Sequence, residues 1–230
     1  MCKPITSIKH KIAKLIKMNF IQTLVIDESL LARIRRWLYR VLIDYLIFNK
    51  NLYVRNQRFH NDDITDLKSF GSDFSLIDLN GSERSLADFK GRAFILIDGR
   101  ALADDFSCVV LKDLVNELGV SGQQPLPVDV VFVSIDPEND SPMVIEKYLE
   151  CIHSSFIGLR PKNELDAKKF ANDFLIYLNK VQNGKSVSYY SEPIRTGLVF
   201  DKEGRLRLYL SRKNGVKNLR HDLMQLILEY

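Results

Sequence analysis

The fold is decided by residues Phe94–Leu118, which read FILIDGRALADDFSCVVLKDLVNEL. Four apolar residues before an Asp-Gly stop predict a short buried strand, and the apolar spacing of the second half predicts a helix over Val109–Leu118. A strand, a loop and a helix N-terminus in this order are where α/β proteins place ligands, because helix-end N–H groups favour an anion there. The loop here offers Ala103 and Ser107, and it has no thiol before Cys108.

Outward from this stretch, short strands and helices alternate. Upstream, FSLIDLNGSERSL (74–86) predicts a β-hairpin around an Asn-Gly turn. Downstream, the β-branched run VDVVFVSI (128–135) predicts a central parallel strand. Helices are predicted at Met143–Cys151, with Ser141 as its candidate cap and Pro142 at its first position, and at Glu164–Phe174. A hairpin across DKEG (201–204) precedes a closing helix. This order predicts an α/β protein with a thioredoxin-like sheet and helices on both faces.

The basic charge of the chain is concentrated near its start. Residues 1–63 hold 12 Lys/Arg and 5 Asp/Glu, a net charge of +7, whereas residues 64–230 carry a net charge of −3. Over residues 4–49 the apolar side chains fall on one stripe beside several arginines, which predicts a basic amphipathic helical segment. We therefore predict three parts: a basic helical segment 1–49, a polar, turn-rich linker 50–69 and an α/β domain 70–230.

Several function classes find no support in the composition. The three cysteines do not make a disulfide framework, and the four histidines are scattered without a pair at metal-ligand spacing. No uncharged apolar run is long enough to predict a membrane span. A basic amphipathic helix can lie on a membrane surface, so we expect residues 4–49 to contact a membrane surface or a protein rather than nucleic acid.

Five separated pieces of the domain occur in an order that is found in a known family: FSLIDLNGSERSLADFKGR, FILIDG, VFVSIDPENDSP, FIGL and LVFDKEGRL. With them, residues 72–230 resemble the SCO/SenC family, the thioredoxin-fold copper proteins of cytochrome c oxidase assembly. The first piece also resembles peroxiredoxins, whereas VSIDPEND and FIGL distinguish the SCO pattern. The resemblance implies a mitochondrial inner membrane or a bacterial cell envelope as the compartment, although no signal in the sequence fixes it.

In that family, a CxxxC loop and a distal histidine hold copper. Aligned by the flanking motifs, the cysteine positions fall on Ala103 and Ser107, and the histidine position falls on Pro193. Methyl, hydroxyl and proline side chains cannot replace the soft ligands that select Cu(I), and they cannot carry out thiol–disulfide exchange. We therefore expect no copper site, no cofactor and no catalytic residue.

Two alternatives stay open. Cys108 follows the second family position, and Arg195 resembles an arginine of peroxiredoxins, so a thiol enzyme is the first alternative. Asp105 and Ala101 replace the threonine and proline of that motif, however, and the acids before Cys108 disfavour a thiolate. The second alternative is a copper chaperone with non-standard ligands such as Cys108, Cys151 or His153.

Acidic residues follow both predicted central strands, and they suggest a hard-cation site only weakly, since such acids more often cap turns and helices. They are Asp98, Asp104, Asp105, Asp136 and Asp140. The sequence thus predicts a degenerate SCO-like protein that is not an enzyme. We expect it to act by binding protein, as an accessory or assembly factor of the respiratory chain, with respiratory-chain subunits or assembly factors as partners.

Overall fold

A computed structural model describes residues 37, 38, 41, 58–65, 71, 73–101, 106–119, 125–176, 178–183, 186–191, 195–211 and 214–229. The chain divides into two compact units, Met1–Trp37 and Leu38–Tyr230. Of the predicted N-terminal helical segment, Trp37, Leu38 and Val41 are described, and they are helical with exposed side chains. The rest of that segment lies outside the described residues, so its helical character stays a prediction.

The second unit contains ten strands, four α-helices and one 3-10 helix among the described residues. The strands are β1 (Asp62–Asp63), β2 (Ser75–Asp78), β3 (Glu83–Ser85), β4 (Ala93–Gly99), β5 (Val128–Ser134), β6 (Ile157–Arg160), β7 (Leu178–Asn183), β8 (Ser186–Ser191), β9 (Arg195–Phe200) and β10 (Leu206–Ser211). The helices are the 3-10 helix Leu86–Phe89 and α1 (Phe106–Leu118), α2 (Pro142–Glu150), α3 (Glu164–Asp173) and α4 (Leu219–Leu228).

Eight of the strands form one sheet in the order β1-β10-β9-β4-β5-β6-β2-β3. β4, β5 and β6 run parallel, and β9 pairs with β4 in the antiparallel direction. β4 lies in the middle because all of its backbone can be paired there and its apolar side chains can be buried on both faces. The predicted α/β class and thioredoxin-like sheet are confirmed.

The core lies on both faces of this sheet, because side chains alternate along each central strand. Ile95 and Ile97 of β4 face a cluster that contains the apolar side chains of α1, α2 and α4. Phe94 and Leu96 face the opposite cluster, which contains Phe residues of α3 and of the 3-10 helix. Helices therefore cover both faces, as the order of the elements predicts.

Helix starts follow local side-chain chemistry. Ser141 caps α2 by accepting a hydrogen bond from the backbone N–H of Val144, and Pro142 occupies the first helical position. The sequence analysis predicts this cap. The predicted start of α1 at Val109 is three residues too late: α1 begins at Phe106, so Ser107 lies in the first turn of the helix rather than in the loop.

The sequence analysis missed three strands. β7 and β8 form a separate two-stranded antiparallel sheet between α3 and β9. β1 pairs with β10 through Asp62 opposite Tyr209 and Asp63 opposite Leu208. β1 falls within residues 50–69, which the sequence analysis interprets as a linker.

Residues 58–65 therefore correct part of that interpretation. The side chains of Phe59 and Ile64 are buried in the two core clusters, and the backbone N–H of Ile64 donates to the carbonyl of Arg207 at 2.8 Å. Polar, turn-rich composition suggests a linker, but two buried apolar residues and a short edge strand are enough to fix this segment on the sheet.

A buried ion network links this segment to the end of the chain. Arg207 is 6% exposed, and its guanidinium donates to Asp201 at 3.1 Å, to Glu229 at 2.7 and 2.9 Å and to the hydroxyl of Thr65 at 2.8 Å. Burial raises the pKa of Asp201, but hydrogen bonds from Arg205 and Arg207 outweigh it and hold that pKa below its ordinary value. The network therefore keeps Asp201 ionised in the folded protein.

Within the described part of the chain, every helix is too short or too polar to reach across a bilayer.

Candidate functional site

The candidate ligand site lies at the edge of the sheet where β4 and β5 end. Because these strands are parallel, Gly99 and Ser134 lie opposite each other there. The helices α1 and α2 follow these strands and begin at the same edge. β9 is antiparallel to β4, so its first residue, Arg195, also belongs to this edge. Ligands of α/β proteins bind at such edges.

The turn after β5 is held by its own acidic residues. The Ser134 hydroxyl donates to Asp140 Oδ2 at 2.6 Å, and the backbone N–H of Ala101 donates to the same oxygen at 2.9 Å. The carboxylate of Asp136 accepts from the Asn139 side-chain amide at 2.9 and 3.0 Å. The contact with Ala101 ties the turn to the end of β4 through Asp140, whereas the Asp136 carboxylate holds a side chain within the turn, so both acids serve the structure of this turn.

The hard-cation hypothesis gains no support from this geometry. Asp98, Asp136 and Asp140 do not gather into a three-ligand cluster among the described residues. Asp104 and Asp105 lie outside the described residues.

Ser107 occupies the first turn of α1 and is buried. Its hydroxyl oxygen lies 3.0 Å from the hydroxyl of Tyr148 on α2, and the Tyr148 ring packs on Phe132 of β5 with the ring centroids 5.2 Å apart. A Cβ at Gly99 would approach Ser107 Oγ to 2.5 Å, so the strand end needs glycine for this contact. The end of β4 and the first turn of α1 are therefore packed so closely that no further group fits between Gly99 and Ser107.

The other predicted site residues are only partly brought together. Cys108 is half-buried in the first turn of α1, and Cys151 is exposed at the end of α2. Arg195 pairs with Ser211 at the start of β9, at the same edge of the sheet as Cys108. Ala103 and Pro193 lie outside the described residues.

The family model SCO1/SenC matches residues 62–228, which is most of the chain. The chain belongs to the SCO1/SenC family. This family is involved in the copper assembly of cytochrome c oxidase. Proteins of the family are copper chaperone-like rather than classical enzymes, and they interact with protein partners in that assembly. The family match begins at Asp62, the first residue of β1, in agreement with the packing of residues 58–65.

Among known proteins, the SCO2-like protein of Rickettsia felis is 29% identical over 116 residues, which are 50% of this chain and 56% of the relative. The match thus spans little more than half of that relative's length. Yeast Sco1 with copper bound has a TM-score of 0.60 at 24% identity and covers 70% of this chain and 90% of that one. BsSco, described as a member of the Sco family of cytochrome c oxidase assembly proteins, has a TM-score of 0.53 at 16% identity and covers 74% of this chain and 98% of that one.

The described residues at this edge fit copper poorly compared with the SCO1/SenC pattern. Ser107 supplies a neutral hydroxyl that is already hydrogen-bonded to Tyr148, whereas Cu(I) selects thiolate and imidazole ligands. The only thiol in the first turn of α1 is Cys108, the residue after Ser107.

One group of possible ligands lies elsewhere, and the sequence analysis missed it. His60, His221 and Asp222 bring one ligand atom each to within 4.8 Å of one another. The sequence analysis considered pairs at metal-ligand spacing along the chain, and this pair is not of that kind. Because His60 and His221 lie 161 positions apart in the chain, sequence spacing holds no signal for their contact, which depends on the packing of β1 and α4.

Proposed function

We propose that this protein is a SCO-like assembly factor without the copper-binding and redox cysteines, and that it acts in cytochrome c oxidase assembly by binding a protein partner. The observation that carries the proposal is the Ser107–Tyr148 hydrogen bond at 3.0 Å, at the position aligned with the second cysteine of the family. A hydrogen-bonded pair of hydroxyls that joins two helices stabilises the edge as a rigid surface, and at position 107 a hydroxyl stands where metal transfer or disulfide exchange would need a thiol.

Two exposed apolar side chains support a protein-binding role for the same edge. Val109 in the first turns of α1 is 56% exposed, and Met143 in the first turn of α2 is 63% exposed. Both helices begin at the edge formed by β4 and β5. Methionine adapts to irregular partner surfaces, and two apolar side chains exposed where α1 and α2 begin offer apolar area to the core of a protein interface.

The proposed interaction is tested with the intact chain as bait and cytochrome c oxidase subunits as the measured prey. We expect the variant Val109→Gln/Met143→Gln to bind the recovered subunit at least about tenfold more weakly, which corresponds to a loss of about 1.4 kcal/mol. Leu228→Gln is the matched control, because Leu228 is 72% exposed but lies at the far end of α4. Recovery of no oxidase subunit by the wild-type chain would contradict the proposed function.

The absence of a family-type copper site is tested separately. We expect the wild-type protein not to retain one equivalent of Cu(I) against a moderate chelator, since no CxxxC motif is present in its sequence. The triple variant Ala103→Cys/Ser107→Cys/Pro193→His restores the three family ligands, and we expect it to bind Cu(I) at least about tenfold more tightly than the wild type.

The variant Cys108→Ser completes this copper experiment. Stoichiometric Cu(I) on the wild type that is lost in Cys108→Ser would overturn the proposal in favour of non-standard ligands. If the wild type turned over peroxide and Cys108→Ser did not, the thiol-enzyme alternative would replace the proposed function.

A further inference from the structure

The surface beside the first turn of α4 brings two histidines together. His60 precedes β1, and His221 lies in α4; both side chains are exposed. Their rings meet edge to face, with centroids 4.7 Å apart and planes inclined by 68°. Neither residue belongs to the edge formed by β4 and β5 or to the ligand positions of the SCO1/SenC pattern.

Asp222 fixes this pair. Its side chain is fully buried, and Oδ1 accepts the backbone N–H of His60 at 2.8 Å. Oδ2 accepts both the backbone N–H and the side-chain amide of Asn61 at 2.8 Å. The carboxylate therefore fastens the segment that contains His60 to the first turn of α4, and it places His60 beside His221 before any ligand binds.

The same carboxylate orients the second imidazole. His221 Nδ1 lies 3.1 Å from Asp222 Oδ1. In neutral histidine, a proton on Nδ1 that is donated to this oxygen leaves the lone pair on Nε2 available. Histidines that bind metals usually donate their other ring N–H to a carboxylate in this way, which fixes the tautomer and raises the basicity of the ligand.

We propose that His60 and His221 form a surface site for a divalent transition-metal ion of the Zn²⁺ and Cu²⁺ class, with Asp222 as the positioning residue. Imidazole nitrogen suits these ions. Two imidazole ligands at about 2.0–2.1 Å from a tetrahedral ion lie about 3.3 Å apart. One ring nitrogen of each histidine lies within 4.8 Å of the other, so the two side chains need to approach by at most about 1.5 Å. Exposed side chains make such a movement readily, and water completes the coordination.

The local charge is compatible with a cation. The first turn of a helix carries partial positive charge, but the Asp222 carboxylate lies in that turn and offsets it. The nearby guanidinium of Arg58 is paired with Glu229 at 2.7 Å. A carboxylate therefore balances each of these two positive charges, the helix terminus and Arg58, so neither is left to repel a bound cation.

The experiment titrates the full-length protein with Zn²⁺ alone by calorimetry. We expect His60→Gln and His221→Gln each to weaken the Zn²⁺ affinity at least about tenfold and the double variant to abolish binding at this site. His153→Gln is the matched control, because His153 is also on the surface and hydrogen-bonds locally to Ser155. Unchanged affinity in both ligand variants, or no Zn²⁺ binding by the wild type, overturns the proposal.

A second readout separates ligation from a structural role. In ¹⁵N spectra of the imidazole rings, we expect Zn²⁺ to shift Nε2 of His221, while Nδ1 keeps its proton toward Asp222. If Zn²⁺ leaves both ring nitrogens of His221 unchanged, the site is not formed by this pair. Neither readout depends on copper or on an oxidase partner, so a failure here is distinguishable from a failure of the proposed function.

Discussion

A chain that begins at Arg58 will fold as a stable domain, and a chain that begins at Thr65 will lose more than about 5 kcal/mol of unfolding free energy. The shorter chain lacks Phe59 and Ile64, which are buried in the two core clusters. Each such side chain stabilises the fold by about 1.5–3 kcal/mol. The loss is comparable with the whole stability of many domains, about 5–15 kcal/mol.

Polar contacts add to this difference. Without residues 58–64, Asp222 loses its backbone donors at His60 and Asn61 and becomes a buried carboxylate with unmet hydrogen-bonding capacity. Each unmet buried group costs about 1–3 kcal/mol. The measurement is urea unfolding of both chains, followed by near-ultraviolet circular dichroism. Equal unfolding midpoints would show that the segment contributes nothing and would restore the interpretation of residues 58–65 as linker.

Replacing Arg207 by methionine will destabilise the protein by about 3–5 kcal/mol at neutral pH. Methionine keeps much of the volume but leaves Asp201 and Glu229 without their shared cation, and breaking a buried ion pair on one side typically costs this much. Arg205→Met is the matched control. Arg205 also bonds Asp201 but is half exposed, so its removal should cost about 1 kcal/mol or less.

The penalty of Arg207→Met also depends on pH, with a defined sign. The pKa of Asp201 in the folded wild type is below its ordinary value of 3.8, so the stabilising contribution is present above that value and is lost as the pH falls below it. Because protonation neutralises the carboxylate that Arg207 compensates, the destabilisation of the variant should stay constant from about pH 7 to about pH 4 and shrink as the pH falls further. A penalty that does not shrink below about pH 4 would show that lost packing, rather than charge, causes the effect.

The alternating elements of the domain could be predicted because their signals are local. The β-branched run of β5, the Asn-Gly turn after β2 and the Ser141-Pro142 start of α2 each specify their own geometry. β1 consists of two aspartates, which hold no strand signal, and its pairing with Tyr209 and Leu208 decides its conformation. β7 and β8 are rich in polar residues such as Asn, Gln, Lys and Ser, so their sequences resemble a loop.

The residues of the candidate site could also be predicted from the sequence only in part. Cys108 and the residues aligned with family ligands could be found because motifs surround them, but the partner of Ser107 could not. Tyr148 lies 41 positions away on another helix, and its hydroxyl meets Ser107 only after both helices pack on the sheet. The same limit applies to His60 and His221, whose meeting depends on a carboxylate that fastens the start of the domain to α4.

The contacts that hold residues 58–65 against β10 and α4 have a consequence for protein synthesis. Phe59, Asn61 and Thr65 emerge from the ribosome long before their partners in 201–229 exist. At about 5–20 residues per second, roughly 10–30 s pass between the two ends. During that interval the edge of β10 and the buried face of α4 are missing, so the domain cannot close until α4 has been made. Its final folding step waits for that helix, and until then the nascent chain exposes apolar surface that a chaperone can bind.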